Sequence, residues 1–246
     1  MKHVVMLNGS PRKATTYKVL SEIAVLLEAR GLEVTVLNIA DYAITECVGC
    51  QLCIRKTSKC YKQDDADEVL SKLVHADGIV LSSPVYLMNI PGKLKNLFDK
   101  TASWVHRPPM IGKPVLSVAT TAGSGLKDVL KYLEKVAIQW GAFPTGKIAR
   151  SIATQRPVSP REIERFVQHI NAEPRDHNPG WNQLLFYQVQ KVLALKVLTI
   201  DREYWVQQGW DKRVYFYPCH IPWYKRMFVG LFYKFLYTRV RPTESA

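Results

Sequence analysis

Before about residue 174, short apolar runs alternate five times with segments of helical period, and this constrains the fold more than any other feature of the chain. Lys2 to Leu7 is an apolar run that ends at Asn8-Gly9-Ser10-Pro11-Arg12-Lys13. Val19, Leu20, Ile23, Leu26 and Leu27 then recur with a helical period up to the stop at Gly31. Leu32 to Ile39 reads as a second strand. A helix from about Ala66 to His75, capped by Asp64 or Asp65, precedes a third, buried strand from Gly78 to Ser82. Pro91 and Gly92 open a helix through Leu94, Leu97 and Phe98. Pro114 to Thr120 reads as a fourth strand, Leu126 to Trp140 as an amphipathic helix and Phe143 to Ala149 as a fifth strand. Ser159-Pro160-Arg161-Glu162 starts the last helix of the series, with Ser159 and Glu162 spaced as a capping box and Pro160 at the first helical position. Short right-handed crossovers leave few other arrangements, so the pattern predicts an α/β fold with a doubly wound, five-stranded parallel sheet, for which 2-1-3-4-5 is the expected order.

A chain of 246 residues with 47% apolar content is long enough for one such core plus an extension. Residues 1–173 are the expected α/β domain, with a cysteine-rich loop at 41–62, and residues 174–246 a helical extension rich in basic and aromatic side chains. In that extension, Asn182 to Leu198 and Trp223 to Tyr237 read as helices, the second with Met227, Phe228, Leu231, Phe232, Phe235 and Leu236 on one broad face. Packing against the domain or a partner subunit is the first reading of that face, and weak contact with a membrane surface the second. No apolar run approaches the roughly 18 residues needed to span a bilayer. The N-terminus has no apolar stretch leading to a small-residue cleavage site, so a reducing cytoplasm is the expected compartment. Formal charge is +13, which favours anionic partners. No helix-turn-helix, zinc-finger or RNA-binding signature accompanies it, so nucleic acid is not among those expected.

Between the second strand and the following helix lie Cys47, Cys50, Cys53 and Cys60, a C-x2-C-x2-C-x6-C run. Thiolates two residues apart can face one centre, and four of them suit an iron-sulfur cluster. Structural zinc and a vacant or redox-active thiol loop remain open alternatives. Disulfides fit a reducing compartment poorly. Cys219 stands apart and reads as a packed thiol. The six histidines are scattered, and the carboxylates at 64, 65, 67 and 68 read as helix capping.

Three loops should meet at the carboxyl ends of the first, third and fourth strands, beside the point where the strand order reverses. In the first, Ser10, Thr15 and Thr16 offer hydroxyls and Arg12 a fork of donors at the positive end of a helix, an arrangement suited to a monophosphate such as that of FMN. It matches neither G-x4-G-K-[ST] nor G-x-G-x-x-G. In the second, Ser83, Pro84, Val85, Tyr86, Leu87, Met88 and Asn89 can border a flat ring, with Tyr86 offering an aromatic face. In the third, Thr121, Ala122, Gly123 and Gly125 allow close backbone approach to a ring edge.

These loops and the cysteine run together resemble the flavodoxin-like NAD(P)H-dependent FMN reductase superfamily, and within it the iron-sulfur flavoprotein branch, over roughly residues 1 to 170 on this reading of the alternation. The resemblance implies a flavodoxin-like fold in which an opening like Gly9 to Thr16 holds the FMN phosphate. Segments like Ser83 to Asp99 and Thr121 to Gly125 border the flavin, and a run like Cys47, Cys50, Cys53 and Cys60 ligates a 4Fe-4S cluster. It further implies an oxidoreductase that passes electrons between NAD(P)H or a ferredoxin-type carrier, FMN and the cluster, working as a homodimer or higher homo-oligomer. No side chain is singled out as a catalytic acid or base. The alternatives are an FMN or quinone reductase without a cluster, and a redox-sensing peripheral adaptor acting through the tail.

Overall fold

The computed structural model describes residues 1–242. Five strands, β1 (His3–Asn8), β2 (Glu33–Asn38), β3 (Gly78–Pro84), β4 (Pro114–Thr121) and β5 (Phe143–Ser151), form one sheet in the order β2-β1-β3-β4-β5 with every pairing parallel. The crossovers run through α1 (Thr15–Glu28), α2 (Ala66–His75), α3 (Gly92–Asp99) and α4 (Leu126–Gln139), and α5 (Pro160–Asn171) follows β5. This is the predicted sheet and the predicted order. Successive strand residues point to opposite faces, so each strand feeds two cores. Val5, Leu7, Ile79, Leu81, Val115 and Ala119 pack under α2, α3 and α4. Val4, Met6, Val80, Leu116, Val118 and Ile148 pack under α1 and α5. Both faces are covered, which is why the central strands read as unbroken apolar runs.

Local signals act where expected. Ser159 and Glu162 form the capping box of α5, with Pro160 in its first turn. At α2 the Asp64 side chain accepts the Ala66 amide at 3.0 Å, while Asp65 turns back to accept the Ala43 amide. The strands run past their predicted ends, β3 to Pro84 and β5 to Ser151, because pairing with a parallel neighbour continues beyond the apolar run.

The C-terminal region builds its own core around Leu184, Tyr187, Trp205, Trp210, Phe216 and Val229. The helix expected over 182–198 is α6 (Trp181–Lys196), which ends before Leu198, extended at φ −128°, ψ 131°; a second helix not expected from the sequence, α7 (Thr199–Gln207), follows at once. The break swings α7 so that buried Asp201 meets Arg107 and His106, and Trp205 donates its indole N–H to the His106 carbonyl at 2.7 Å. Helix α8 (Trp223–Arg239) packs on α6, where Lys196 Nζ donates to the carbonyls of Tyr237 and Val240.

Gly9 ends β1 at a crowded point, its amide donating to the Ser82 carbonyl at 2.9 Å. A Cβ there would stand 2.5 Å from that carbonyl oxygen and closer still to the Leu94 side chain, whereas a Cβ at Gly92 meets nothing within 4 Å. Gly9→Ala is expected to cost about 1–3 kcal/mol and to lower the thermal midpoint by several degrees, about 2–4 °C per kcal/mol for a chain of this size. Gly92→Ala should be neutral or stabilising in the same melting experiment.

Candidate functional site

The loops that leave β1, β3 and β4 open side by side at the carboxyl edge of the sheet, since those strands are neighbours. In the first loop Ser10 is buried and its amide donates to Asn8 Oδ1 at 3.2 Å, while its Oγ accepts the Arg12 amide at 3.3 Å. Helix α1 then begins at Thr15 with no side-chain cap and no acidic residue in its first turn. Its leading amides and the positive end of its dipole therefore face the loop with no cap or acidic side chain from that turn. Thr15 and Arg12 are exposed there, while Thr16 is buried, its Oγ1 2.7 Å from Thr120 Oγ1. That contact ties the first loop to the end of β4. Pattern reading had no means of finding Thr120, because the pairing joins residues 104 positions apart.

In the second loop Ser83 Oγ donates to the Pro84 carbonyl, and the Val85 amide donates to the Thr120 carbonyl at 2.8 Å. Tyr86 and Asn89 then exchange both backbone hydrogen bonds across Leu87 and Met88, at φ 43° and 66°. A two-residue turn with both central residues left-handed normally holds Asn or Gly. Here it holds two large apolar residues, with Leu87 99% exposed at the tip. Such backbone costs of order 1 kcal/mol or more per residue and concentrates at functional sites. In the third loop Thr121 Oγ1 accepts the Gly123 amide and donates to the Ser124 carbonyl. Gly125 has φ 89°, and a Cβ there would lie 2.7 Å from Val85 Cγ1 and 3.2 Å from Met88 Cα, so the second and third loops touch where only glycine fits.

The cysteine loop joins β2 to α2. Cys47, Cys50, Cys53 and Cys60 line one cavity of about 70 Å³, floored by Asp99, Lys100 and Ala102 at the far end of α3. Gly49, Gln51 and Ser58 take left-handed backbone, and a single π-turn runs from Cys53 to Thr57. Burial pushes the Cys53 thiol up, and the neighbouring charges of Cys60, Cys47 and Cys50 push the same way. Four thiolates gathered here repel one another, so this donor set calls for a cationic core to hold it. Among the described residues no three His, Cys, Asp or Glu side chains are placed to hold a metal ion. All four cysteine residues line this one cavity, and four thiols are the number that ligates a multi-atom iron-sulfur cluster.

Two buried cations brace this loop, and neither was evident from the sequence. Lys100 pairs with Asp64 at 2.5 Å, reaches Thr45 Oγ1 at 3.2 Å and lies 3.9 Å from Cys60 Sγ. Arg107 Nη2 donates to the carbonyls of Cys53 at 2.9 Å and Ile54 at 2.8 Å, while its Nη1 pairs with Asp201 of α7. Ser103 Oγ adds a bond to the Ser58 carbonyl. Burial works against the Asp64 charge, but hydrogen bonds from Lys100, Thr45 and the Ala66 amide outweigh it and hold the carboxyl down at about 2.

The fold and these loops define a doubly wound α/β protein in which three loops meet at the reversal of strand order, beside the uncapped start of α1. The model of the NADPH-dependent FMN reductase family matches residues 2–156, and the chain belongs to that family. An iron-sulfur flavoprotein of Archaeoglobus fulgidus is 29% identical over 222 residues, spanning 85% of this chain and 99% of that protein. An iron-sulfur flavoprotein of Methanocaldococcus jannaschii is 31% identical over 117 residues, 48% of this chain and 59% of the relative. Among solved structures, RosB with a bound 8-demethyl-8-formylriboflavin-5'-phosphate intermediate has the same fold at a TM-score of 0.53 and 12% identity, covering 91% of this chain and 92% of that one.

Asp201→Asn leaves Arg107 buried without its charged partner, a change expected to cost about 3–5 kcal/mol. Loss of the Arg107 brace should also speed alkylation of Cys53 in the metal-free chain, read by mass spectrometry. Because the Asp64 carboxyl is held low, its contribution to stability is complete above its unfolded range near 3.8 and is lost as pH falls towards about 2. Denaturation followed across that window should therefore show a flatter pH dependence in Asp64→Asn than in the parent chain.

Proposed function

We propose that this protein is an FMN-dependent oxidoreductase that passes electrons between NAD(P)H or a ferredoxin-type carrier, FMN held in the cleft, and a 4Fe-4S cluster held by Cys47, Cys50, Cys53 and Cys60. The observation that carries the reading is the pairing of two preparations joined by one short helix. At its start, Gly92 follows the loop that borders the cleft; at its end, Asp99 and Lys100 line the cysteine cavity. A helix of eight residues spans about 12 Å.

When bound, FMN supplies both hydride and single-electron exchange and a cluster supplies single-electron exchange. The chain contributes position and electrostatics. Ser10, Thr15 and the leading amides of α1 would hold the phosphate, with Arg12 closing over it from the exposed rim; Thr16 acts from behind through Thr120. Tyr86, Leu87 and Met88, with Ser83, Pro84, Val85 and Asn89 behind them, would border one side of the ring. The backbone at Thr121, Ala122, Gly123 and Gly125 would meet its edge. The strained turn at Leu87 and Met88 supports this division, since it holds apolar side chains out where a ring can lie against them.

Near the cysteine cavity, Lys100 offers a donor to Cys60 Sγ and Arg107 holds the Cys53 and Ile54 carbonyls, each cation being paired with a carboxylate; a donor to a ligating sulfur would favour the more negative state of whatever the thiolates hold. Residues 1–173 serve as the FMN unit in this reading and residues 174–246 as an extension that braces the cysteine loop through Asp201. Assembly as a homodimer would allow the cysteine cavity of one subunit to approach the flavin of the other.

Anaerobic purification followed by assay of iron, sulfide and released flavin tests the proposal. The parent chain should be brown, with about four irons and one FMN per chain. Cys53→Ser and Cys60→Ser should lose iron and keep FMN. Gly125→Val should weaken FMN binding at least about tenfold by closing the contact with Val85 and Met88, and keep its iron. A chain that stays yellow and iron-free under these conditions removes the cluster. A chain that also fails to take up FMN removes the redox reading.

A further inference from the structure

Helix α8 turns its apolar side chains outward. Within it only Val229 is buried, whereas Trp223 is 76% exposed, Leu231 60% and Met227 58%, with Phe228 and Phe235 also more than half exposed. Positions 223, 227, 231 and 235 recur once per turn and Tyr224 and Phe228 lie beside them, so the exposed groups form one stripe along the helix. The packing face expected from the sequence thus splits: Phe232 and Leu236 are half-buried, and the rest of that set faces solvent. The helix is not loosely held, since Lys196 bonds its last carbonyls and Lys191 and Lys196 sit over the rings of Tyr233 and Tyr237. Trp181 of α6 meets Phe228 edge-on at 5.4 Å and widens the patch. A contiguous apolar surface of this kind marks an interaction site.

Its charge selects the occupant. Lys225, Arg226, Lys234 and Arg239 lie on α8, Arg241 follows, and α8 has no Asp or Glu. A second copy of the chain pairing through this stripe would bring the same cations against each other, an arrangement that like-charge repulsion disfavours. An anionic bilayer offers both complements. Its acyl boundary takes Met, Leu and Phe, its headgroup level takes Trp and Tyr rings, and its phosphates take the cations. No helix among the described residues is long and apolar enough to cross a membrane. We propose that α8 lies flat in the interface of an anionic lipid bilayer, inserting Trp223, Met227, Leu231 and Phe235 while its basic side chains reach lipid phosphates.

The full chain would be sedimented with vesicles of phosphatidylcholine alone and of phosphatidylcholine with roughly one-third phosphatidylglycerol. Binding at least about tenfold tighter to the anionic vesicles is expected, weakened by salt as surface charges are screened. The double variant Met227→Asp, Leu231→Asp should lose that binding by at least about tenfold with an unchanged melting temperature, since both side chains stand in solvent. Arg226→Glu with Lys234→Glu should abolish the preference for anionic vesicles. Equal binding to both vesicle types, or to neither, overturns the proposal. So does a dimer, seen by analytical ultracentrifugation without lipid, that the double Asp variant dissociates, since the stripe would then be an interface between copies.

Discussion

Parallel pairing of β1, β3 and β4 is the constraint on which the cleft depends. Parallel strands with crossover helices must all release their loops at the same edge, so three loops distant in sequence become neighbours without any contact designed between them. The contacts that do exist refine this placement. Thr16 meets Thr120, Val85 bonds the Thr120 carbonyl, and Gly125 lets Val85 and Met88 come close. Thr120 therefore sits at the centre, with its hydroxyl facing the first loop and its carbonyl holding the second. One residue at the end of one strand sets the spacing of the two walls between which a ligand would lie.

The cysteine loop needs a different kind of support, because it has little regular structure of its own. Its backbone carbonyls at Cys53 and Ile54 are satisfied by Arg107, a residue between α3 and β4, and the charge of Arg107 is satisfied in turn by Asp201 in α7. A buried charge pair of this kind adds little net stability compared with apolar packing, yet breaking it is costly, so it acts as a register device. It fixes where α7 docks and where the π-turn at Cys53 lies by the same set of bonds. The C-terminal region is thus joined mechanically to the thiols although its own aromatic core is separate.

The parts of this structure legible in the sequence were those governed by local rules. Apolar periodicity located all five strands, the flavodoxin-like fold supplied their order, and the spacing of Ser159, Pro160 and Glu162 located the start of α5. The loops that form the cleft were found because the ends of neighbouring parallel strands converge whatever their side chains. The end of α6 was legible to within two residues, but α7 was not, and its docking rests on Asp201 meeting Arg107, a contact between residues 94 positions apart. Nothing in the local pattern singles out Lys100 or Arg107, since most Lys and Arg lie at the surface, and their burial depends on tertiary pairing with Asp64 and Asp201. Asp64 shows the limit of local reasoning: its capping of α2 was foreseen, but the same carboxylate also holds Lys100 beside Cys60.

These constraints act together along α3. Its first turn follows the strained turn of Leu87 and Met88, and its last residue leads into Lys100 and the cysteine cavity, so a displacement at either end is carried by one short rigid element. Lys93 Nζ bonds the Ala40 carbonyl at the end of β2, and Trp140 donates its indole N–H to Thr101 just past the helix, so α3 is held at both ends. A helix fixed in this way holds the loop after β3 and the cysteine cavity at a set spacing. For electron exchange that fixity matters more than flexibility, because transfer between two centres depends on their separation. The strain the fold tolerates is confined to the loops, at Leu87 and Met88 in the cleft and at Gln51 and Ser58 beside the cysteines. The element between them remains regular.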